Sequence, residues 1–242
     1  MQLSAGEIFH GPQCAGVSLR REMQLPPRHR GPPGAERVGK SGILPNFRPA
    51  NRKHFFMDNE IRQAVEVLRR GGIILYPTDT VWGIGCDATN ASAVEKIYRL
   101  KRSENKKSML VLVDSADSAA RYVNRAPAVA WELMELSDKP LTLILPGGCG
   151  VASNLLPEEG TLGVRVPRHE FCLRLIRRLG RPLVSTSANI SGEPAPACYG
   201  EIAEEILRGV DMAVNLSFEG EATHKPSSII MLGEGGEVKI IR

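Results

Sequence analysis

The sequence predicts an α/β protein, a β-sheet covered by helices, and three features lead there. Short apolar runs of strand length recur along the chain. Stretches with apolar residues at helical spacing lie between them, and several of the strand-like runs are apolar at every position, as in strands buried on both faces. The 242 residues are 42% hydrophobic and 24% charged, a balance that supports a packed core.

In chain order, Asp58 is placed to cap a helix with Ile61, Val65 and Leu68 on its apolar face, ended by Gly71-Gly72. Ile73 to Tyr76 reads as a short strand stopped by Pro77. Asn90 or Ser92 opens a second helix, with Val94, Ile97 and Tyr98 on one side. Met109 to Val113, Leu141 to Leu145, Leu162 to Val166 and Leu183 to Ser185 read as apolar strands. Helical patterns cover 115–136, 169–179 and 200–208, and Ser228 to Leu232 and Val238 to Ile241 close the chain as strands. One domain over 57–242 is the economical reading.

Residues 1–56 differ in kind. They hold nine Lys/Arg against three acids, whereas the remainder holds 22 against 24, so the overall charge of +4 belongs to the N-terminal segment. A nucleic-acid argument from net charge therefore fails for the folded part. With seven Pro and seven Gly and no sustained periodicity, the segment is read as a disordered extension. A start at Met57 is the favoured explanation; a transit peptide fits the Arg-rich composition, but the prolines spoil an amphipathic helix. No run approaches the ~18 apolar residues of a membrane span, so no membrane partner is expected. The five cysteines (Cys14, Cys86, Cys149, Cys172, Cys198) are scattered without a C-x-x-C pair. That argues against a disulfide framework or cysteine zinc site and for a reducing cytoplasm.

Some motifs carry no chemistry. Gly34 to Ser41 matches G-x-x-x-x-G-K-[ST], but a phosphate-binding loop needs a strand before it and a helix after it. Pro26-Pro27 and Gly31-Pro32-Pro33 precede it and Pro45 follows. There is no G-x-S-x-G elbow, His169 and His224 stand alone, and no metal-ligand cluster is visible.

What remains is a set of small hydroxyl residues after strands: Thr78-Asp79-Thr80 following the first, and Ser185-Thr186-Ser187-Ala188-Asn189 following another. In α/β sheets ligands sit outside the carboxyl ends of strands. Arg165 lies inside an apolar strand between Val164 and Val166, where a charge needs a partner and can clamp an anion bidentately. Lys101, Arg102, Lys106 and Lys107 add positive potential after the second helix. Singly, each feature is ordinary turn or surface chemistry; jointly they suggest a cavity for anionic small molecules.

The same residues resemble the signature of the YrdC-type threonylcarbamoyl-AMP synthases. The resemblance rests on Tyr76-Pro77-Thr78-Asp79-Thr80-Val81-Trp82-Gly83-Ile84-Gly85, Val164-Arg165-Val166-Pro167-Arg168-His169, Pro182 to Gly192 and Pro226-Ser227-Ser228-Ile229-Ile230, in the family's order and spacing over essentially 57–242. It implies a twisted mixed sheet with helices on its faces around a wide concave cavity. It implies a nucleotidyltransferase that makes L-threonylcarbamoyladenylate and pyrophosphate from ATP, L-threonine and bicarbonate, for threonylcarbamoyl modification of tRNA by a separate transferase. It implies that Thr80, Arg165, Ser185 and Ser227 or Ser228 hold L-threonine, with Arg165 on its carboxylate. Thr161, Ser187, Asn189, Arg242 and the backbone near Ala195 would contact ATP, and Lys101 would face its phosphates. Mg²⁺ is expected to come with ATP, without a dedicated protein site.

Two departures stand out. The family's Lys-x-Arg after the second helix is Lys101-Arg102-Ser103 here, and its Gly-Pro-x-Thr turn is Lys139-Pro140-Leu141-Thr142. Arg102 is one residue from the expected position, which on a helix end is a rotation of about 100°. The alternative function is therefore a non-catalytic paralogue that binds nucleotide, tRNA or double-stranded RNA. Carbamoyl transfer, as in hydrogenase maturation proteins, is a third possibility, but those chains are much longer.

Overall fold

Met57, Ile61, Ala64, Val65 and Leu68 recur at helical spacing and all are buried, so the first helix forms as its sequence predicts. Its start is earlier than Asp58. In this computed structural model, which describes residues 49–103 and 109–242, the helix α1 runs Pro49–Arg69. Proline is tolerated in a first helical turn, and nothing between it and Arg69 breaks the helix. Asp58, inside the helix, instead pairs with Arg174. Residues 1–48, with the Gly34 to Ser41 motif, lie outside the described residues, as do Lys106 and Lys107.

The elements that follow are β1 (Ile74–Tyr76), β2 (Gly83–Gly85), α2 (Ala91–Leu100), β3 (Leu110–Leu112), α3 (Ala116–Ala120), α4 (Val129–Leu136), β4 (Leu141–Pro146) and β5 (Thr161–Arg165). They continue with α5 (Glu170–Leu179), β6 (Leu183–Ser187), α6 (Glu204–Gly209), β7 (Met212–Ala213), β8 (Ser228–Leu232) and β9 (Val238–Ile240). Asn90 caps α2, its side chain accepting from the Ala93 N–H at 3.1 Å. The helical pattern over 115–136 divides into α3 and α4, with Pro127 just ahead of the second.

The nine strands form one mixed sheet in the order β7-β1-β2-β6-β3-β5-β4-β8-β9. β2 and β7 are not predicted from the sequence. Two glycines in a three-residue strand argue against a strand, yet a Cβ on Gly85 would stand 2.5 Å from Val184 O and 2.7 Å from Tyr76 Cε1. Only glycine lets the sheet close over Tyr76 there.

Alternation along the strands divides the core in two. Ile74, Tyr76, Leu112 and Leu183 pack with α1 and α5, including Phe171, Leu175 and Ile176. Leu75, Ile84, Val111, Val164 and Val184 pack on the opposite face with Val94 and Ile97 of α2. Arg165 pairs with Leu112 in register and Ser185 stands two residues beyond Leu183, so both share the face of α1 and α5. The expected α/β sheet with helices on its faces is what forms.

Leu68 is fully buried under α1 and Leu136 is 78% exposed. Leu68→Ala is expected to cost about 2–5 kcal/mol in denaturant unfolding, and Leu136→Ala less than about 0.5 kcal/mol.

Candidate active site

A cavity of about 680 Å³ opens on this face. It is not confined to the carboxyl ends of the strands, because the sheet is mixed. β1, β5 and β6 reach it through their C-terminal ends or the residues just after, whereas β2, β3 and β8 reach it through their N-terminal ends. Thr80, Lys101, Arg165, Ser185, Ser187, Asn189, Ala195, Ser227 and Arg242 line it together. Two predicted residues are elsewhere. Ser228 is exposed and faces a separate groove under α4, because consecutive strand residues point to opposite faces. Ser227 is the residue of that pair in the cavity. Thr161 sits at the start of β5, paired with Pro146, four positions from Arg165 and about 13 Å along the strand, and is not among the lining residues.

One end of the cavity is built around Arg165, 4% exposed. Its Nη2 donates to Asp79 Oδ1 at 2.5 Å and its Nη1 to Thr80 Oγ1 at 3.0 Å. Hydrogen bonding fixes the direction of the chain that follows. Thr78 Oγ1 donates to Val81 O at 2.7 Å, so in its 2.9 Å contact with Thr80 Oγ1 the Thr80 hydroxyl is the donor. The Thr80 backbone N–H also donates to Thr78 Oγ1, at 3.0 Å. Thr80 is thereby locked with its remaining lone pair available as an acceptor. Ser227 closes this end, its hydroxyl 2.8 Å from Thr142 Oγ1, and both are buried.

The other end is organised by Lys101, the residue that ends α2. Its Nζ donates to Ser187 O at 2.5 Å and Asn189 O at 2.6 Å, while its own carbonyl accepts from the Ser191 N–H at 2.9 Å. One buried ammonium thus ties α2 to the loop after β6. Burial pushes its pKa down to about 8. Ser187 Oγ donates to Asn189 Oδ1 at 2.5 Å, and Asn189 Nδ2 donates to Ile190 O and Glu193 O. Arg242 Nε donates to Ser227 O at 3.1 Å. Lys101, Arg165 and Arg242 face Glu193 as the one acidic side chain among the lining residues, so the lining side chains are net positive.

The two departures separate here. Ser103 lines the cavity, and Arg102 does not replace an arginine there. Its guanidinium turns outward to Glu205 of α6, 2.7 Å from Oε2. Lys139 belongs to the groove under α4, whereas Thr142 of the same turn supports Ser227, so the second change leaves the site intact.

Asp79, Thr142 and Trp82 belong to the site without being singled out by the sequence. Asp79 stands in the quoted signature, but only the fold shows it opposite Arg165. Trp82 lines the cavity, donates from Nε1 to Glu219 at 2.6 Å and meets Tyr199 edge-on at 5.0 Å. Burial pushes the thiols of Cys86 and Cys172 and the phenol of Tyr76 up, holding them protonated. Among the described residues no three His, Cys, Asp or Glu side chains converge to hold a metal, and no helix is long and apolar enough to cross a membrane.

The family model Sua5/YciO/YrdC, described as telomere recombination, matches residues 66–242. The chain belongs to that family. A Vibrio cholerae protein named threonylcarbamoyl-AMP synthase is 32% identical over 172 residues, 70% of this chain and 90% of its own length. The crystal structure of P. abyssi Sua5 complexed with L-threonine matches with a TM-score of 0.68 at 30% identity, covering 75% of this chain and 53% of that one. The chain thus spans about half the length of that Sua5. E. coli YciO matches with a TM-score of 0.64 at 27% identity, over 76% of this chain and 88% of YciO.

Asp79 and Arg165 are each desolvated, so removing one strands the other. Arg165→Ala is expected to cost about 3–5 kcal/mol of stability in denaturant unfolding, well beyond the effect of shortening an exposed Arg such as Arg99.

Proposed function

We propose that this chain is an L-threonylcarbamoyladenylate synthase, which converts ATP, L-threonine and bicarbonate into threonylcarbamoyl-AMP, pyrophosphate and water. The observation that carries the reading is a positively lined cavity, with a buried guanidinium held by Asp79 and Thr80 at one end and a lysine-bound hydroxyl loop at the other. Arg165 would take the threonine carboxylate on its free donors, with Thr80, Ser185 and Ser227 around the amino acid. Lys101, Ser187, Asn189, Arg242 and the backbone at Ala195 would take ATP.

The chemistry asks for positioning and charge neutralisation. The threonine amine attacks the bicarbonate carbon, water leaves, and a carbamate forms. A carbamate oxygen then attacks the α-phosphorus in line and pyrophosphate departs. Neither step needs a protein nucleophile, which agrees with the protonated Cys86 and Cys172. Mg²⁺ would enter with ATP on its phosphates. The product would pass to a separate transferase acting on tRNA, in the cytoplasm, and the domain that does this work would be 57–242 with the start of α1 added.

Ser103 in the cavity favours a second reading, a paralogue that binds nucleotide or RNA in the same concavity without turnover. One experiment separates the two. The full chain is incubated with ATP, Mg²⁺, bicarbonate and L-threonine, and the products are resolved by mass spectrometry. Threonylcarbamoyl-AMP that requires both threonine and bicarbonate is expected; folded, ATP-binding protein that makes none would establish the second reading. Within the first, Ser227→Ala is expected to raise the KM for threonine about tenfold and Ser228→Ala to leave it unchanged.

Lys101 sets the pH dependence. Its charge is complete well below pH 8 and is lost as pH rises through about 8. At saturating threonine, kcat/KM for ATP is expected to fall above that pH, whereas the midpoint in kcat is expected to lie higher, because bound phosphates stabilise the ammonium.

A further inference from the structure

Two polar atoms at the threonine end have no partner, and they belong to the same ion pair. Asp79 Oδ2 and Arg165 Nε are buried and unpaired, although Asp79 Oδ1 and Arg165 Nη2 are 2.5 Å apart. Such orphans are costly and ask for an explanation. Asp79 is not among the cavity-lining residues, whereas Arg165 and Thr80 are. The carboxylate therefore lies behind the guanidinium and acts on a ligand through it and through its own field.

The charge at this end decides what can enter. Arg165 contributes one positive charge and Asp79 one negative, and the buried Tyr76 and Cys172 beside them are held neutral. The sum is zero. A ligand carrying only a carboxylate adds an unbalanced charge in a desolvated place, where the penalty is large. An amino acid brings its ammonium with its carboxylate and leaves the sum at zero. Without Asp79 the order would reverse: the uncompensated guanidinium would favour the monoanion.

We propose that Asp79 is a specificity-determining residue, which sets the buried charge at this end of the cavity to zero and so selects a zwitterionic amino acid over the same carboxylate lacking the amine. The proposal rests on the threonine-binding reading above and names how that site discriminates. A purely supporting role for Asp79, holding Arg165 in place, makes a different statement. Its loss would then weaken every carboxylate ligand alike.

The test compares two ligands on the full chain by titration calorimetry: L-threonine, and its analogue with a hydroxyl in place of the amine. Wild-type protein is expected to bind threonine at least about tenfold more tightly than the analogue. Asp79→Asn is expected to bind the analogue more tightly than wild type does and to close the gap by about tenfold, while Asp79→Glu keeps the gap. Asp79→Asn weakening both ligands equally would overturn the proposal. Should that variant not fold, the wild-type ratio decides: an analogue bound within about threefold of threonine overturns it, and a gap above tenfold supports it. Wild type that binds no threonine overturns the functional reading and the proposal with it; threonine binding with an unmoved ratio overturns the proposal alone.

Discussion

A guanidinium taken out of water is the constraint around which the site is arranged. Arg165 sits on an inner face of the sheet where its neighbours in register are Leu112 and, one step back, Val111. A bare charge there would not be tolerated. Asp79 supplies the opposite charge and Thr80 a hydroxyl, both delivered by the turn after β1. That turn reaches them because β1 and β2 pair tightly, which in turn needs Gly83 and Gly85 beneath Tyr76 and Ser185. The glycines, the threonines and the aspartate of one short segment are thus answers to one electrostatic problem posed by a residue some eighty positions later.

Lys101 poses the same kind of problem on a smaller scale. Its ammonium is buried against backbone carbonyls rather than a carboxylate, so it keeps a net positive charge at lower cost than an unpaired one, and its pKa falls to about 8. The contrast defines the two ends of the cavity. The buried Arg165–Asp79 pair is balanced and suits a ligand of no net charge; the buried Lys101 ammonium has no carboxylate partner and suits phosphates. In the proposed function that asymmetry serves to hold an amino acid beside a nucleotide.

Much of this was legible in the sequence, for identifiable reasons. Strand and helix periodicity located β3, β4, β5, β6 and the buried faces of α1 and α2, and an arginine among valines marked the site. Other features are set by tertiary contacts. β2 reads as a loop because its glycines answer to Tyr76, and the 115–136 helix divides where Pro127 removes a donor. Ser227 and Ser228 are indistinguishable as letters, and only the pleat of β8 sends one into the cavity and the other out. Asp79 has no legible role in the sequence because its partner, Arg165, lies on another strand.

In the proposed function the buried Arg165–Asp79 pair is a preformed receptor for the threonine carboxylate. A crystal structure of the full chain with L-threonine tests it most directly. The carboxylate is expected within hydrogen-bonding distance of Arg165, with the Arg165–Asp79 contact still in place and Thr80 and Ser227 beside the ligand. Threonine bound away from Arg165, or bound there only after the arginine has left Asp79, would contradict it.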